Sequence, residues 1–273
     1  MGSRRRRGGN HQHGSAIGRV WPLAALLLAL LPGIGVAADE LRIAVAANFK
    51  QTAEALCRSF SVEHPVRCVV SSGASGLLYA KIAQGAPFDV LLSADRERPE
   101  RLEREGLAVA GSRFTYALGQ LVFWHPGRRV GADLGAALAD ERLQSLAIAN
   151  PRSAPYGAAA LEVLRAYGID AATQYRLVQG ESVAQAFQFI ASGAADAGFV
   201  SAAQLFQYQS NTGRTLEGEL LPVDATLHAP IEQQAVLLRD GATDPVAQAF
   251  LRYLQSPPAL ALIEAAGYST PVP

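Results

Sequence analysis

Short apolar runs alternate with amphipathic stretches along most of the chain. Leu41 to Ala46, Arg67 to Val70 and Phe88 to Leu92 are too short for buried helices and are predicted as strands. Helical spacing follows each of them, at Lys50 to His64, Gly76 to Ala83 and Glu97 to Glu105. After a longer apolar stretch, Phe114 to Trp124, the alternation resumes. Strands are predicted at Leu146 to Ala149, Tyr175 to Val178, Gly198 to Val200 and Gln233 to Leu238. Helices are predicted at Tyr156 to Tyr167, Val183 to Ser192, Ala202 to Gln209, Pro245 to Gln255 and Pro258 to Ala266. The polar, glycine-containing segment Ser210 to Gly218 reads as a surface loop. Strands and helices alternating in this order argue an α/β class with largely parallel sheets.

The pattern falls into two similar series, which suggests two lobes with a cleft between them. The predicted division places residues 39–118 in a first lobe, 119–231 in a second, and 232–273 back in the first. The crossings then fall near Ala117 to Phe123 and Ile231 to Val236. No internal sequence repeat accompanies the two series. Ahead of them, residues 1–38 read as a secretory signal peptide. Arg4 to Arg7 and Arg19 form a basic start, Leu23 to Leu31 an apolar centre, and Val36-Ala37-Ala38 a small-residue cleavage site. The apolar centre is too short to span a membrane. The expected location is therefore the periplasm.

Charge counts change once the leader is set aside. The whole chain has 24 basic and 24 acidic residues. The leader holds 5 of the basic and none of the acidic ones, leaving a mature net charge of −5. A mildly acidic protein of this kind is a poor partner for nucleic acid. Cys57 and Cys68 are the two cysteines, on a predicted helix and the next strand. Export favours a disulfide between them, and two buried thiols whose Cβ vectors do not meet is the alternative. His64, His125 and His228 are isolated, and no spacing suits a zinc site.

The candidate chemistry lies at four strand-to-helix junctions. Two are in the first series: Val45-Ala46-Ala47-Asn48-Phe49 and Ser71-Ser72-Gly73-Ala74-Ser75-Gly76. Two are in the second: Asn150 to Gly157, stiffened by Pro151 and Pro155, and Glu181-Ser182-Val183. A helix start offers unpaired N–H groups and the positive end of the dipole, so convergent starts make an anion site. Open α/β sheets bind ligands at this edge, beyond the carboxyl ends of their strands. Taken singly, each junction is an ordinary capped turn; their number and order point to an oxyanion.

At these junctions the sequence resembles the periplasmic molybdate-binding proteins of ABC transporters, the ModA family. The resemblance runs through residues 40–271. It is carried by Ala44 to Phe49, Ser71 to Gly76, Gly85 to Val90, Ser93-Ala94-Asp95, Asn150-Pro151 with Ala154 to Gly157, Ser192 to Asp196 and Ala266-Gly267-Tyr268. It implies a two-lobed type II periplasmic-binding fold that carries molybdate, and tungstate, to an inner-membrane permease. It further implies a monomer with no cofactor and no catalysis, the metal being held only through its oxygens. The implied ligands are Asn48, Ser75, Tyr156 and Val183, the last two through backbone N–H, with Ala47 and Ser72 as secondary candidates. Ala47 stands where a Thr hydroxyl serves in the similar branch, and Ser201 stands where some members place a ligand Tyr.

Two other readings compete. Another tetrahedral oxyanion, sulfate above all, also suits neutral donors. An enzyme on the same fold would need a general acid or base in the cleft, and the junctions carry no His, Glu or Lys. Asp89, Asp95 and Asp196 are expected to brace strand or helix ends rather than to touch an anion.

Overall fold

Strand β1 (Asp39–Ala46) is apolar on both faces, with Leu41, Ile43, Ala44 and Val45 fully buried, which suits a strand flanked on both sides. It lies inside a five-stranded sheet of order β2-β1-β3-β10-β4, formed with β2 (Val66–Gly73), β3 (Val90–Leu92), β4 (Phe114–Gly119) and β10 (Ile231–Leu237). The second sheet has order β7-β6-β8-β5-β9, from β5 (Leu121–His125), β6 (Ser145–Ala149), β7 (Arg176–Gly180), β8 (Ala197–Ser201) and β9 (Glu219–Pro222). The computed structural model describes residues 39–127 and 133–271; the predicted leader, residues 1–38, lies outside them.

The helices are α1 (Lys50–Glu63), α2 (Ser75–Ala83), α3 (Glu97–Arg104), α4 (Leu134–Leu138), α5 (Pro155–Ala166), α6 (Ala171–Gln174), α7 (Val183–Ala191), α8 (Ala202–Thr212), α9 (Pro245–Tyr253) and α10 (Pro257–Ala265). The result is a two-lobed periplasmic-binding fold. Although the sequence shows no repeat, each lobe contains the same unit. In one, β1 is flanked in parallel by β2 and β3; in the other, β6 is flanked in parallel by β7 and β8.

The largely parallel expectation is corrected here: both sheets are mixed. β10 runs antiparallel to β3 and β4, and β5 runs antiparallel to β8 and β9. The antiparallel strands are those next to the crossings between sheets. The apolar stretch Phe114 to Trp124 is two strands, β4 in the first sheet and β5 in the second, and the chain crosses back between β9 and β10. Three short elements escaped the sequence reading. β9 carries only Leu220 and Leu221 as apolar signal, while α4 and α6 are single turns capped by Asp133 and Asp170. The strand expected from Phe88 begins at Val90, because Phe88 and Asp89 belong to the approach.

Asp89 and Asp196 perform equivalent jobs in the two lobes. Asp89 accepts from the Arg42 N–H at 2.7 Å and from its guanidinium at 2.7 and 3.2 Å, tying β3's approach to β1. Asp196 accepts from Ser145 N–H at 2.7 Å, Ser145 Oγ at 2.8 Å and Gln144 N–H at 3.1 Å, tying β8 to β6. Partial burial works against the charged form of Asp196, but these donors outweigh it and hold the carboxyl below its usual range. The stability this contributes is present above the unfolded-state pKa of about 3.9 and is lost as pH falls through the lower folded value. Asp196→Asn is expected to be destabilised relative to wild type at pH 7, with the gap narrowing toward pH 3. Urea denaturation of both proteins across that range checks this; a gap that grows on acidification contradicts it.

Candidate functional site

Four strands deliver the chain to helix starts at the same edge. After β1, a single 3-10 turn, Ala47–Phe49, leads into α1. After β2, Ala74 is extended and α2 begins at Ser75. In the second lobe β6 leads through Asn150 to Ala154, and Pro155 occupies the first turn of α5, where a missing N–H costs nothing. After β7, Ser182 caps α7, accepting from the Gln185 N–H.

These starts enclose one small cavity. Ala46, Ala47, Asn48, Gly73, Ala74, Ser75 and Ala94 line it from the first lobe, and Ala154, Pro155, Tyr156, Ser182 and Val183 from the second. Its free space is about that of one water molecule, which excludes a sugar or an amino acid. Asn48, Ser75, Tyr156 and Val183 are thus brought together, with Ala47 beside them. Ser72 is not among the lining residues; it pairs with Val45 in the ladder and its side chain is exposed. Ser201 is fully buried at the end of β8 and does not line the cavity either.

The donors are organised in detail. The backbone N–H groups of Ser75, Tyr156 and Val183 have no acceptor among the described residues. The Ser75 hydroxyl oxygen accepts from the Ala94 N–H at 2.9 Å, which leaves its proton free to donate into the cavity. The Asn48 side chain is engaged elsewhere. Its amide donates to Gln233 Oε1 at 2.8 Å and to Tyr268 Oη at 3.1 Å, while Tyr268 Oη donates to the Asn48 carbonyl at 2.8 Å. The Asn48 side chain therefore holds its turn in place and presents the backbone to the cavity. Gln233 and Tyr268 were not identified from the sequence as site residues. The available signal was that Gln233 and Gln234 are polar yet open the predicted apolar strand Gln233 to Leu238.

Charge is absent from the wall: no Asp, Glu, His, Lys or Arg lines the cavity. Nearby phenols stay neutral, since burial pushes Tyr116, Tyr156 and Tyr268 upward. Asp95, just ahead of α3, accepts from the Arg98 N–H, and burial raises its carboxyl against the pull of Arg98. Helix starts carry roughly half a positive charge each. Four of them can offset a dianion without any cationic side chain, and no acidic or basic side chain lines the wall.

The two lobes touch beside the cavity. Gly76 N–H donates to the Ser153 carbonyl at 2.8 Å across the cleft. A Cβ at Gly76 would stand 2.9 Å from Ser153 Cα and 3.0 Å from its carbonyl oxygen, so this approach requires glycine.

Residues 41–269 match a family described as bacterial extracellular solute-binding protein. The molybdate-binding protein ModA of Azotobacter vinelandii is 43% identical over 249 residues, 90% of this chain and 97% of that one. The chain belongs to the ModA family. The Rhodobacter capsulatus ModA is 42% identical over 248 residues, covering 90% of this chain and 95% of its own. The solved structure of the periplasmic Azotobacter protein superposes with a TM-score of 0.78 at 40% identity, covering 85% of this chain and all of that one.

The Tyr268 hydroxyl ties the last described segment to the first junction, and Tyr268→Phe removes only that hydroxyl. The Asn48 carbonyl and one amide hydrogen then lose their buried partner. The expected cost is about 1–3 kcal/mol of unfolding free energy, read by denaturant titration; an unchanged midpoint contradicts this role.

Proposed function

We propose that this protein captures molybdate, and also tungstate, in the periplasm and delivers it to an ABC permease of the inner membrane. The observation that carries this reading is the small cavity walled by helix starts from both lobes and by no side chain that is charged at neutral pH. A dianion buried there is held by dipoles and neutral N–H and O–H donors. Such donors release their ligand more readily than a bidentate Arg, which suits delivery. Family membership supports a transport role over an enzymatic one, and the name of the Azotobacter and Rhodobacter relatives supports molybdate. The ligands we assign are the backbone N–H of Asn48, Tyr156 and Val183 with the hydroxyl and N–H of Ser75, Ala47 being a further donor. The protein acts as a monomer, exported by residues 1–38.

Isothermal calorimetry tests this directly. One molybdate or tungstate per chain is expected, with sulfate far weaker; equal affinity for sulfate overturns the molybdate assignment. Ser75→Ala should lose about 1.5–3 kcal/mol of binding, the range for a hydrogen bond to a charged group. Tyr156→Phe should bind nearly as wild type, because that residue serves through its backbone. The reverse order of losses would refute this assignment of donors.

An anion held by both lobes favours the closed state by its contacts to each. The crossings near Gly119 and between β9 and β10 carry the hinge in this reading. Small-angle scattering should show a smaller radius of gyration with molybdate than without. Gly76→Ala, whose methyl meets the Ser153 backbone, should bind about tenfold or more weakly and contract less. Full contraction and affinity in that variant would show that this contact is not part of closure.

A further inference from the structure

The two cysteines lie away from the anion cavity, in the apolar layer between α1 and β2. Cys57 is on α1, 5% exposed, on the face that carries Leu56 and Phe60. Cys68 is half-buried on β2, where Val66, Cys68 and Val70 alternate toward the same cluster. Both are free thiols in the structure, and each is the largest influence on the other's titration, so the two stand side by side. The turn between the elements is further held by Ser61 Oγ donating to the Val66 carbonyl at 3.1 Å. β2 is the outer strand of its sheet and has a ladder partner, β1, on one side.

We propose that Cys57 and Cys68 close a disulfide in the mature protein, stapling the outer strand of the first lobe to the helix that covers it. The staple joins the two elements that lead to and from the first-lobe junctions: α1 starts beside Asn48 and β2 ends before Ser75. The neighbouring Cys57 thiol lowers Cys68, while Cys68 and burial raise Cys57. Cys68 is also the more accessible of the two, so it is the attacking sulfur. Its thiolate attacks one sulfur of an oxidised dithiol protein or of a small disulfide, expelling the other as a thiolate. Cys57 then loses its proton and attacks Cys68, expelling the second thiolate. Two protons and two electrons leave the pair, and the oxidant's disulfide becomes two thiols. The occurrence of this step in the cell rests on the export reading above; the ability of the pair to close does not.

The test separates the two. Purified, fully reduced mature protein is exposed to oxidised glutathione, quenched, alkylated with N-ethylmaleimide and weighed intact. Wild type is expected to take no maleimide and to weigh less than the reduced protein by two hydrogens. Cys57→Ser should instead retain one glutathione on Cys68. Oxidised wild type should melt on the order of 5 °C above the reduced protein, a comparison that needs no variant. Wild type that keeps two alkylatable thiols, or stably carries glutathione, overturns the proposal. Protein recovered from a periplasmic fraction with both thiols alkylated overturns it as well. Absence of the protein from that fraction refutes export, and the glutathione experiment still decides the pairing.

Discussion

Taking a doubly charged ion out of water is among the largest costs a protein of this size can face, and in the proposed reading everything near the cleft answers to it. Isolated burial of such a charge is prohibitive, and cationic side chains would meet it at the expense of release. The alternative is many small, fixed dipoles aimed at one point. Each lobe contributes two, because each contains a parallel β-α-β unit whose strands end at the same edge. The mixed character of the sheets follows from the same need. The two connections between lobes must leave those edges free, so they enter through antiparallel strands on the far side of β3 and β8.

Dipoles work only if they do not turn away, and the surroundings of the cavity are devoted to that. Ser75 is oriented by the Ala94 N–H, which takes one of its lone pairs and leaves its proton free to donate. Asn48 is held at its carbonyl and at its amide by Tyr268 and Gln233. Phe49 packs edge-on against Tyr116 and Tyr268, which fixes the same turn from its apolar side. Rigid donors of this kind need not reorganise when a ligand arrives, and they discriminate by size and by protonation state rather than by net charge.

Much of this was legible in the sequence, for identifiable reasons. Strand runs such as Leu41 to Ala46 and helix starts such as Pro155-Tyr156 are local signals, and their edges moved by only a few residues. The four junctions stood out because small neutral residues at a strand end leave few other roles. What escaped was non-local. Nothing near Asn48 shows that its amide is spent on residues 185 and 220 positions away. Ser72 sits one residue from the cavity wall, yet the pleat alternation turns it to solvent, a distinction that depends on register rather than on composition. β9, α4 and α6 are too short to generate a periodic signal.

The interior strand β10 has a consequence for the order of events. It lies between β3 and β4, with its residues coming from the last sixth of the chain, and the Tyr268 hydroxyl comes later still. The second lobe's sheet draws on one continuous stretch, residues 121–222, whereas the first lobe's cannot join its own halves before β10 arrives. A chain emerging from its N-terminus therefore has β1, β2 and β3 available before β10 can join β4 to them. A product cut before Tyr268 loses the hydroxyl that holds Asn48, while Ser75, oriented by Ala94, keeps its own partner.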